Sequence, residues 1–125
     1  MSQQLALIIE DDYDASLIFD EALQAAGFET EIIRSGDTAL ARLAVTTPGV
    51  VVLDLHLPYI AGTDILSQIR ADGRLAETRI IVATADPRLA ETLQDEADLV
   101  LIKPISFSQL RDLATRLGSV ASPGE

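Results

Sequence analysis

Acidic residues that follow two apolar runs are the side chains of this sequence best suited to chemistry. Glu10, Asp11 and Asp12 come directly after one such run, and Asp54 comes directly after another. Adjacent carboxylates raise the free energy of one another's ionised forms, so a cluster of this kind is costly unless a cation or several hydrogen-bond donors offset the repulsion. The remaining sequence should therefore bring positive charge to these oxygens.

A single lysine is the first candidate for that charge. Lys103 is the only lysine among nine basic residues, and it directly follows an apolar run, as the hydroxyl of Thr84 also does. Compositional bias would also produce one lysine, and Lys103 would then be an ordinary surface residue. Arg34 and Ser35, which follow the remaining apolar run, offer no comparable group.

The apolar runs themselves predict the elements that position these groups. They are short and rich in Val, Ile and Leu, which is typical of buried parallel strands, and they cover residues 5–9, 28–33, 50–53, 80–83 and 99–102. Helical spacing predicts helices between them, the first with an apolar face from Ala15 to Ala26 and a stop at Gly27, and the others at about 36–45, 63–71, 88–96 and from 106 onward. Strands that alternate with helices in this way predict a doubly wound α/β domain with a parallel sheet.

The ligand site of such a sheet lies beyond the carboxyl ends of the strands, where the strand order reverses. In the order 2-1-3-4-5, strands one and three are neighbours, so Glu10, Asp11 and Asp54 converge on one crevice. Thr84 and Lys103 then face them from the other side. Three oxygen ligands with room for waters suit Mg²⁺, whose charge would offset the repulsion.

Composition narrows the function further. The chain has 125 residues, enough for one domain, and a net charge of −11, which disfavours direct binding to nucleic acid. It contains no cysteine, so disulfides, thiolate metal sites and a thiol nucleophile are excluded. No apolar run approaches the roughly 20 residues that span a bilayer, and no leader is evident, so we expect a soluble cytoplasmic protein.

Four stretches in this order resemble the receiver domain of bacterial response regulators: LIIEDD, VVLDLHLPYIAG, IIVATAD and LIKPIS. The resemblance covers residues 4–118 and leaves 119–125 as a flexible tail. It implies a flavodoxin-like (βα)5 fold and a phosphoacceptor role in two-component signalling, in place of conventional enzyme activity.

The resemblance also implies roles for the acidic residues. Asp54 would accept a phosphoryl group from a phosphohistidine. Mg²⁺ would be bound by Asp54, by Asp11 directly, by Glu10 mostly through water, and by the backbone carbonyl of His56. We predict that Asp12 is a helix N-cap and not a ligand.

The other strand ends receive roles in the same way. Thr84 would bind a phosphoryl oxygen and start the activating rearrangement. Lys103 would pair first with the acceptor carboxylate and then with the phosphoryl group, and Pro104 would hold that turn, with a cis peptide bond as one option. Receivers commonly carry Tyr or Phe three residues before the lysine, where this chain has Val100. A valine cannot make the ring movement that the aromatic residue makes, so the usual transmission of the signal is in doubt.

Two further residues could act on the phosphorylated state. His56 is predicted to project over the mouth of the pocket, where one hypothesis is that it influences attack by water on the phosphoryl group together with Asp86. The alternative for His56, a role as an ordinary solvent-exposed histidine, is favoured.

The implied partners are a sensor histidine kinase or a histidine phosphotransfer protein as donor, and a downstream protein as target. Many receivers dimerise, so a homodimer is one expectation, and the chain could also be one domain of a longer protein. An alternative function is a receiver-like interaction module regulated without phosphorylation, which Val100 favours and the complete set of pocket residues disfavours. A phosphohydrolase is a third, but such enzymes commonly carry an acidic residue where this chain has His56.

Overall fold

A computed structural model describes residues 4–120 of the chain, with side chains through residue 118. Five strands alternate with five helices: β1 (Leu5–Ile9), α1 (Tyr13–Ala25), β2 (Glu29–Ile33), α2 (Gly36–Leu43), β3 (Val50–Asp54), α3 (Gly62–Ala71), β4 (Arg79–Thr84), α4 (Pro87–Thr92), β5 (Leu99–Ile102) and α5 (Phe107–Val120). A short 3-10 helix, Gly73–Leu75, follows α3.

The five strands form one parallel sheet in the order β2-β1-β3-β4-β5, which confirms the predicted topology. The side chains of α1 and α5 pack in the core on one face of the sheet, and those of α2, α3 and α4 pack in the core on the other. The chain leaves β1 to form β2 on one side and returns to form β3 on the other. The strand order therefore reverses at β1 and β3, and the crevice of a doubly wound sheet opens there.

The central strand β3 carries the acceptor candidate to this crevice. All five of its residues are buried, because Val51 and Leu53 face one core and Val50 and Val52 face the other. Helices cover both faces of the sheet, which explains the continuous apolar run in place of an alternating one. Asp54, the last residue of β3, therefore lies at the edge of the core.

Local interactions and backbone conformation fix three helix ends that the sequence predicts. Asp12 caps α1, where its Oδ2 accepts the backbone N–H of Ala15 at 2.8 Å. Gly27, just beyond the same helix, has a positive φ of 99° that suits glycine. Ser106 Oγ accepts the backbone N–H of Gln109 at 3.1 Å ahead of α5. An N-cap contributes about 1 kcal/mol, so Asp12 and Ser106 set where α1 and α5 begin.

Helix α4 ends earlier than the predicted span of 88–96. Leu93 leaves the helical conformation with φ −104° and ψ 3°, and the N–H groups of Glu96 and Ala97 then turn back to the Leu93 carbonyl. The chain has to turn here because Asp98 enters β5 in a fixed position, where its Oδ2 accepts the N–H of Ile80 at 2.7 Å. Tertiary pairing thus shortens the helix that local propensity favours.

Helix α5 continues to Val120, two residues into the stretch predicted as a tail, while residues 121–125 lie outside the described part of the chain. Within residues 4–120, no helix is both long enough and apolar enough to cross a membrane.

Candidate functional site

The predicted acidic groups meet at the carboxyl ends of β1 and β3. Glu10, Asp11 and Asp54 each offer a carboxylate oxygen, and these oxygens lie within 4.8 Å of one another. Because β1 and β3 are hydrogen-bonded neighbours, the residues that follow them are forced together by the sheet itself. Glu10 is fully buried and Asp54 is 3% exposed, whereas Asp11 is exposed to solvent.

The turn after β3 is built closely around Asp54. A Cβ atom on Gly62 would overlap the carbonyl oxygen of Asp54, so only glycine allows α3 to begin this near the strand. The Gly62 N–H donates to the carbonyl of Leu55 at 3.1 Å, and the His56 N–H donates to Asp54 Oδ1 at 3.3 Å. The acceptor candidate is therefore held by backbone contacts on both sides.

Lys103 reaches the carboxylates from the end of β5. Its Nζ lies 2.8 Å from Glu10 Oε1, an ion pair that is not aligned as a hydrogen bond, and it donates an aligned hydrogen bond of 3.4 Å to Asp54 Oδ1. The Lys103 backbone N–H donates to the Thr84 carbonyl at 2.8 Å, and the Lys103–Pro104 peptide bond is cis. The ammonium thus lies closer to Glu10 than to the predicted acceptor.

Burial and neighbouring charges shift the ionisation of this group of residues. Burial and, to a smaller extent, the Glu10 carboxylate raise the pKa of Asp54 from 3.8 to about 6, although Lys103 opposes the rise. For Lys103, burial disfavours the charged form, but the Glu10 and Asp54 carboxylates outweigh it and the pKa is raised. Asp54 is therefore mostly ionised at neutral pH but destabilised in that state.

A cavity of about 470 Å³ opens above these residues, lined by Glu10, Asp11, Asp12, Tyr13, Asp54, His56, Ala85 and Lys103. His56 is exposed at this cavity, as predicted, and Thr84 lies behind its wall, fully buried. The Thr84 hydroxyl accepts the N–H of Asp86 at 3.0 Å. The side chain of Asp86 caps α4, because its Oδ1 accepts the N–H of Arg88 at 2.9 Å.

The chemistry of the donor set fits Mg²⁺. All three side-chain donors are carboxylate oxygens, which this ion prefers, with no nitrogen or sulfur among them. Oxygens bound to one octahedral Mg²⁺ lie about 3.0 Å apart when adjacent and about 4.2 Å apart when opposite, so the three carboxylates would have to move closer together, or one would bind through water. Glu10 is the natural candidate for the water-mediated ligand because Lys103 already holds it.

Comparison with known proteins identifies the family. The model of the response regulator receiver domain matches residues 6–115. The chain belongs to the response regulator receiver family. A probable methanogenesis regulatory protein, FilR2 of Methanothrix harundinacea, is 31% identical over 118 residues, covering 86% of this chain and 76% of its own length.

Other receivers extend the comparison. The transcriptional regulatory protein PrrA of Mycobacterium leprae is 28% identical across 98% of this chain, which spans only 54% of PrrA. The solved receiver domain of a signal transduction histidine kinase from Syntrophus aciditrophicus is 26% identical, with a TM-score of 0.85 over 98% of this chain and 95% of its own. A receiver is a phosphoacceptor module of two-component signalling that pairs with histidine kinases, and not a conventional enzyme. The acidic triad found here is typical of the Mg²⁺ site of such domains.

Val100 occupies the position where receivers commonly carry an aromatic ring. It lies on β5 opposite Val82, is partly buried, and packs against the core on the α2–α4 face of the sheet. Ile102, two residues further along the same strand, is 42% exposed. In this receiver the surface beside β5 is therefore aliphatic.

Two features of this receiver escaped the sequence interpretation. The guanidinium of Arg34, at the end of β2, lies 4.9 Å from the centre of the Tyr13 ring at the start of α1. Tyr59, in the loop after the acceptor, has a positive φ of 73°, and the flanking Ile60 N–H donates to the Pro58 carbonyl at 2.9 Å in a γ-turn. The run of apolar residues in "LHLPYIAG" gives no signal for a left-handed tyrosine, since Asn or Gly usually takes that conformation.

Proposed function

We propose that this receiver accepts a phosphoryl group on Asp54 from a phosphohistidine, in a Mg²⁺-dependent reaction, and passes the signal to a protein partner. The observation that carries the proposal is the convergence of two carboxylates, Glu10 and Asp11, and the only lysine of the chain around the buried Asp54. A carboxylate in such a pocket can act as a nucleophile toward phosphorus.

The transfer moves one phosphoryl group without a change of oxidation state. An Asp54 carboxylate oxygen forms a bond to phosphorus while the phosphorus–nitrogen bond of the donor breaks. The electron pair of that bond returns to the imidazole nitrogen, which takes a proton from water. Little covalent chemistry is left for the protein, so positioning and charge neutralisation supply most of the rate.

The pocket residues divide this work among them. Glu10, Asp11, Asp54 and the backbone carbonyl of His56 would hold Mg²⁺, which when bound would neutralise charge on the phosphoryl oxygens. Lys103 already contacts both buried carboxylates, so its ammonium can follow the charge from the carboxylate to the new phosphoryl group. The product carries about −1.5 to −2 charge, which a divalent ion and one ammonium together offset.

The signal would leave the pocket through Thr84. Its hydroxyl accepts the N–H of Asp86, and Asp86 in turn caps the short helix α4. A Thr84 side chain that moves toward a phosphoryl oxygen would disturb this link and so bias the position of α4. That route needs no aromatic ring at position 100. A downstream partner would sense the changed position of α4 at the aliphatic surface around Ile102.

The donor protein would approach over a second cavity beside the first. It has a volume of about 590 Å³ and lies between α1 and the turn after β5, lined by Asp12, Asp14, Ala15, Ile18, Phe19, Ala85, Lys103, Pro104 and Ile105. Asp12, Ala85 and Lys103 line both cavities. A partner that inserts an apolar side chain here would hold its own histidine within reach of Asp54.

Intact-mass spectrometry after incubation with acetyl phosphate tests the proposal. We expect wild type to gain one phosphoryl group in Mg²⁺ and none in EDTA, and Asp54→Asn to gain none in either. Asp95→Asn, which changes an exposed aspartate outside the pocket, should behave as wild type. A gain by Asp54→Asn equal to that of wild type would refute the assignment.

A second candidate is a receiver that binds its partner without phosphorylation. Val100 favours it, because its small, partly buried side chain lacks the ring movement by which receivers commonly report phosphorylation. Clear Mg²⁺ binding, with no phosphoryl gain from acetyl phosphate or from a histidine kinase, would favour this candidate over the first.

A further inference from the structure

Two ring side chains line the acidic cavity, and the proposed function gives no role to the larger one, Tyr13. Tyr13 and His56 are the rings among the lining residues, and Tyr13 is 64% exposed. The carboxylates, the metal they would hold and Lys103 all recognise the phosphoryl group. None of them recognises the group to which the phosphoryl is attached before transfer.

The Tyr13 ring is held by two rigid elements. It begins α1, and its ring lies against the guanidinium of Arg34 at the end of β2, with 4.9 Å between the guanidinium carbon and the ring centre. Arg34 Nη1 is shielded from solvent and has no acceptor within the part of the chain that the structure describes. A buried donor without an acceptor is costly, and the contact with the Tyr13 ring is the interaction through which this guanidinium is stabilised.

The direction of transfer brings the donor ring to the same place. Attacking and leaving atoms lie roughly in line with phosphorus, so the leaving group projects from Asp54 toward the mouth of the cavity. Tyr13 lies at this mouth and Arg34 covers part of it, while most of the ring surface stays exposed. The cavity of about 470 Å³ has room for a five-membered ring beside the phosphoryl group.

We propose that Tyr13 stacks on the imidazole ring of the phosphohistidine donor and makes this receiver selective for imidazole-borne phosphoryl groups. The inference rests on the proposed phosphoacceptor function and deepens it by naming a residue that contacts the leaving group. Arg34 is a positioning residue, since it acts by holding Tyr13. The bonds that form and break are those of the transfer already given.

Three small phosphodonors separate ring recognition from phosphoryl transfer. Phosphoimidazole carries the ring, whereas phosphoramidate and acetyl phosphate carry none. Rates are measured by intact-mass time courses in Mg²⁺ for wild type, Tyr13→Ala and Tyr13→Phe, with Leu17→Ala as an exposed control one turn along α1 that does not line the cavity.

We expect Tyr13→Ala to lose about 2- to 12-fold in rate with phosphoimidazole, the factor that one ring–ring contact supplies, and to keep the wild-type rate with the other donors. Tyr13→Phe and Leu17→Ala should match wild type with all three. Equal losses across the donors, or no loss with phosphoimidazole, would overturn the role of Tyr13 while the acceptor function stood. If wild type accepts a phosphoryl group from none of these donors and from no histidine kinase, the proposed function itself fails.

Discussion

Replacing Asp54 by asparagine should stabilise the metal-free protein at neutral pH. Burial and the Glu10 carboxylate raise the pKa of Asp54 from 3.8 to about 6, so the folded state disfavours the charged form. At about 1.4 kcal/mol for each pKa unit, ionisation of Asp54 costs the folded protein up to about 3 kcal/mol above pH 6. Asparagine has no such cost and can still accept the N–H of His56, and Lys103 still pairs with Glu10.

The sign of the pH dependence follows from linkage. A carboxyl group whose pKa is raised on folding costs nothing below the unfolded value of 3.8, and it costs progressively more as pH rises from there to about 6. The advantage of Asp54→Asn in free energy of unfolding should therefore be largest at pH 7 to 8 and should shrink toward zero near pH 4.

Urea unfolding in EDTA between pH 4 and pH 8 measures this difference, with Asp95→Asn as the exposed control. Added Mg²⁺ should narrow the gap at pH 7, because it binds more tightly to, and so stabilises more, the protein that retains all three carboxylates. Equal stability of the two proteins at pH 7 in EDTA, or a gap that does not depend on pH, would refute the electrostatic reasoning.

Three other predictions concern separate parts of the structure. Tyr59→Gly should raise the free energy of unfolding by about 1 kcal/mol, because glycine adopts a positive φ without the steric cost that a Cβ brings. Tyr59→Ala keeps the Cβ and should not be stabilised. A stabilised alanine variant would contradict this reasoning. Lys103→Met should lower the free energy of unfolding of the metal-free protein by about 2 kcal/mol, and Mg²⁺ should restore part of this loss. Urea unfolding measures both effects. Unchanged stability would mean that the ion pairs contribute nothing. We expect His56→Ala and Asp86→Ala to change the lifetime of the phosphorylated protein without preventing phosphorylation. The loss of the added mass over time measures this lifetime. Lifetimes equal to that of wild type in both variants would refute the hypothesis.

Much of the fold follows from local sequence because this sheet is covered on both faces. The strands β1 and β3 are apolar runs, and Asp12 lies where an N-cap is expected, so both features are visible without long-range information. Convergence of Glu10, Asp11 and Asp54 follows as soon as the strand order is correct, since the order alone makes β1 and β3 neighbours.

Features that depend on the reach of side chains between elements were beyond the sequence. The ammonium of Lys103 lies nearer to Glu10 than to Asp54, which depends on the longer glutamate side chain. The sequence carries no functional signal for Arg34, because the Tyr13 ring that it contacts belongs to a different element. Helix α4 was predicted too long because the position of Asp98, fixed by β4, determines where the chain must turn.

Chemical trapping of the phosphorylated residue is the most direct test of the central claim. The protein is incubated with acetyl phosphate and Mg²⁺, reduced with borohydride, and digested for peptide mass spectrometry. An aspartyl phosphate is reduced to homoserine, so the account predicts homoserine at position 54 in a Mg²⁺-dependent manner and intact aspartate at the other positions. An unmodified Asp54, or reduction at another acidic residue such as Asp11, would contradict it.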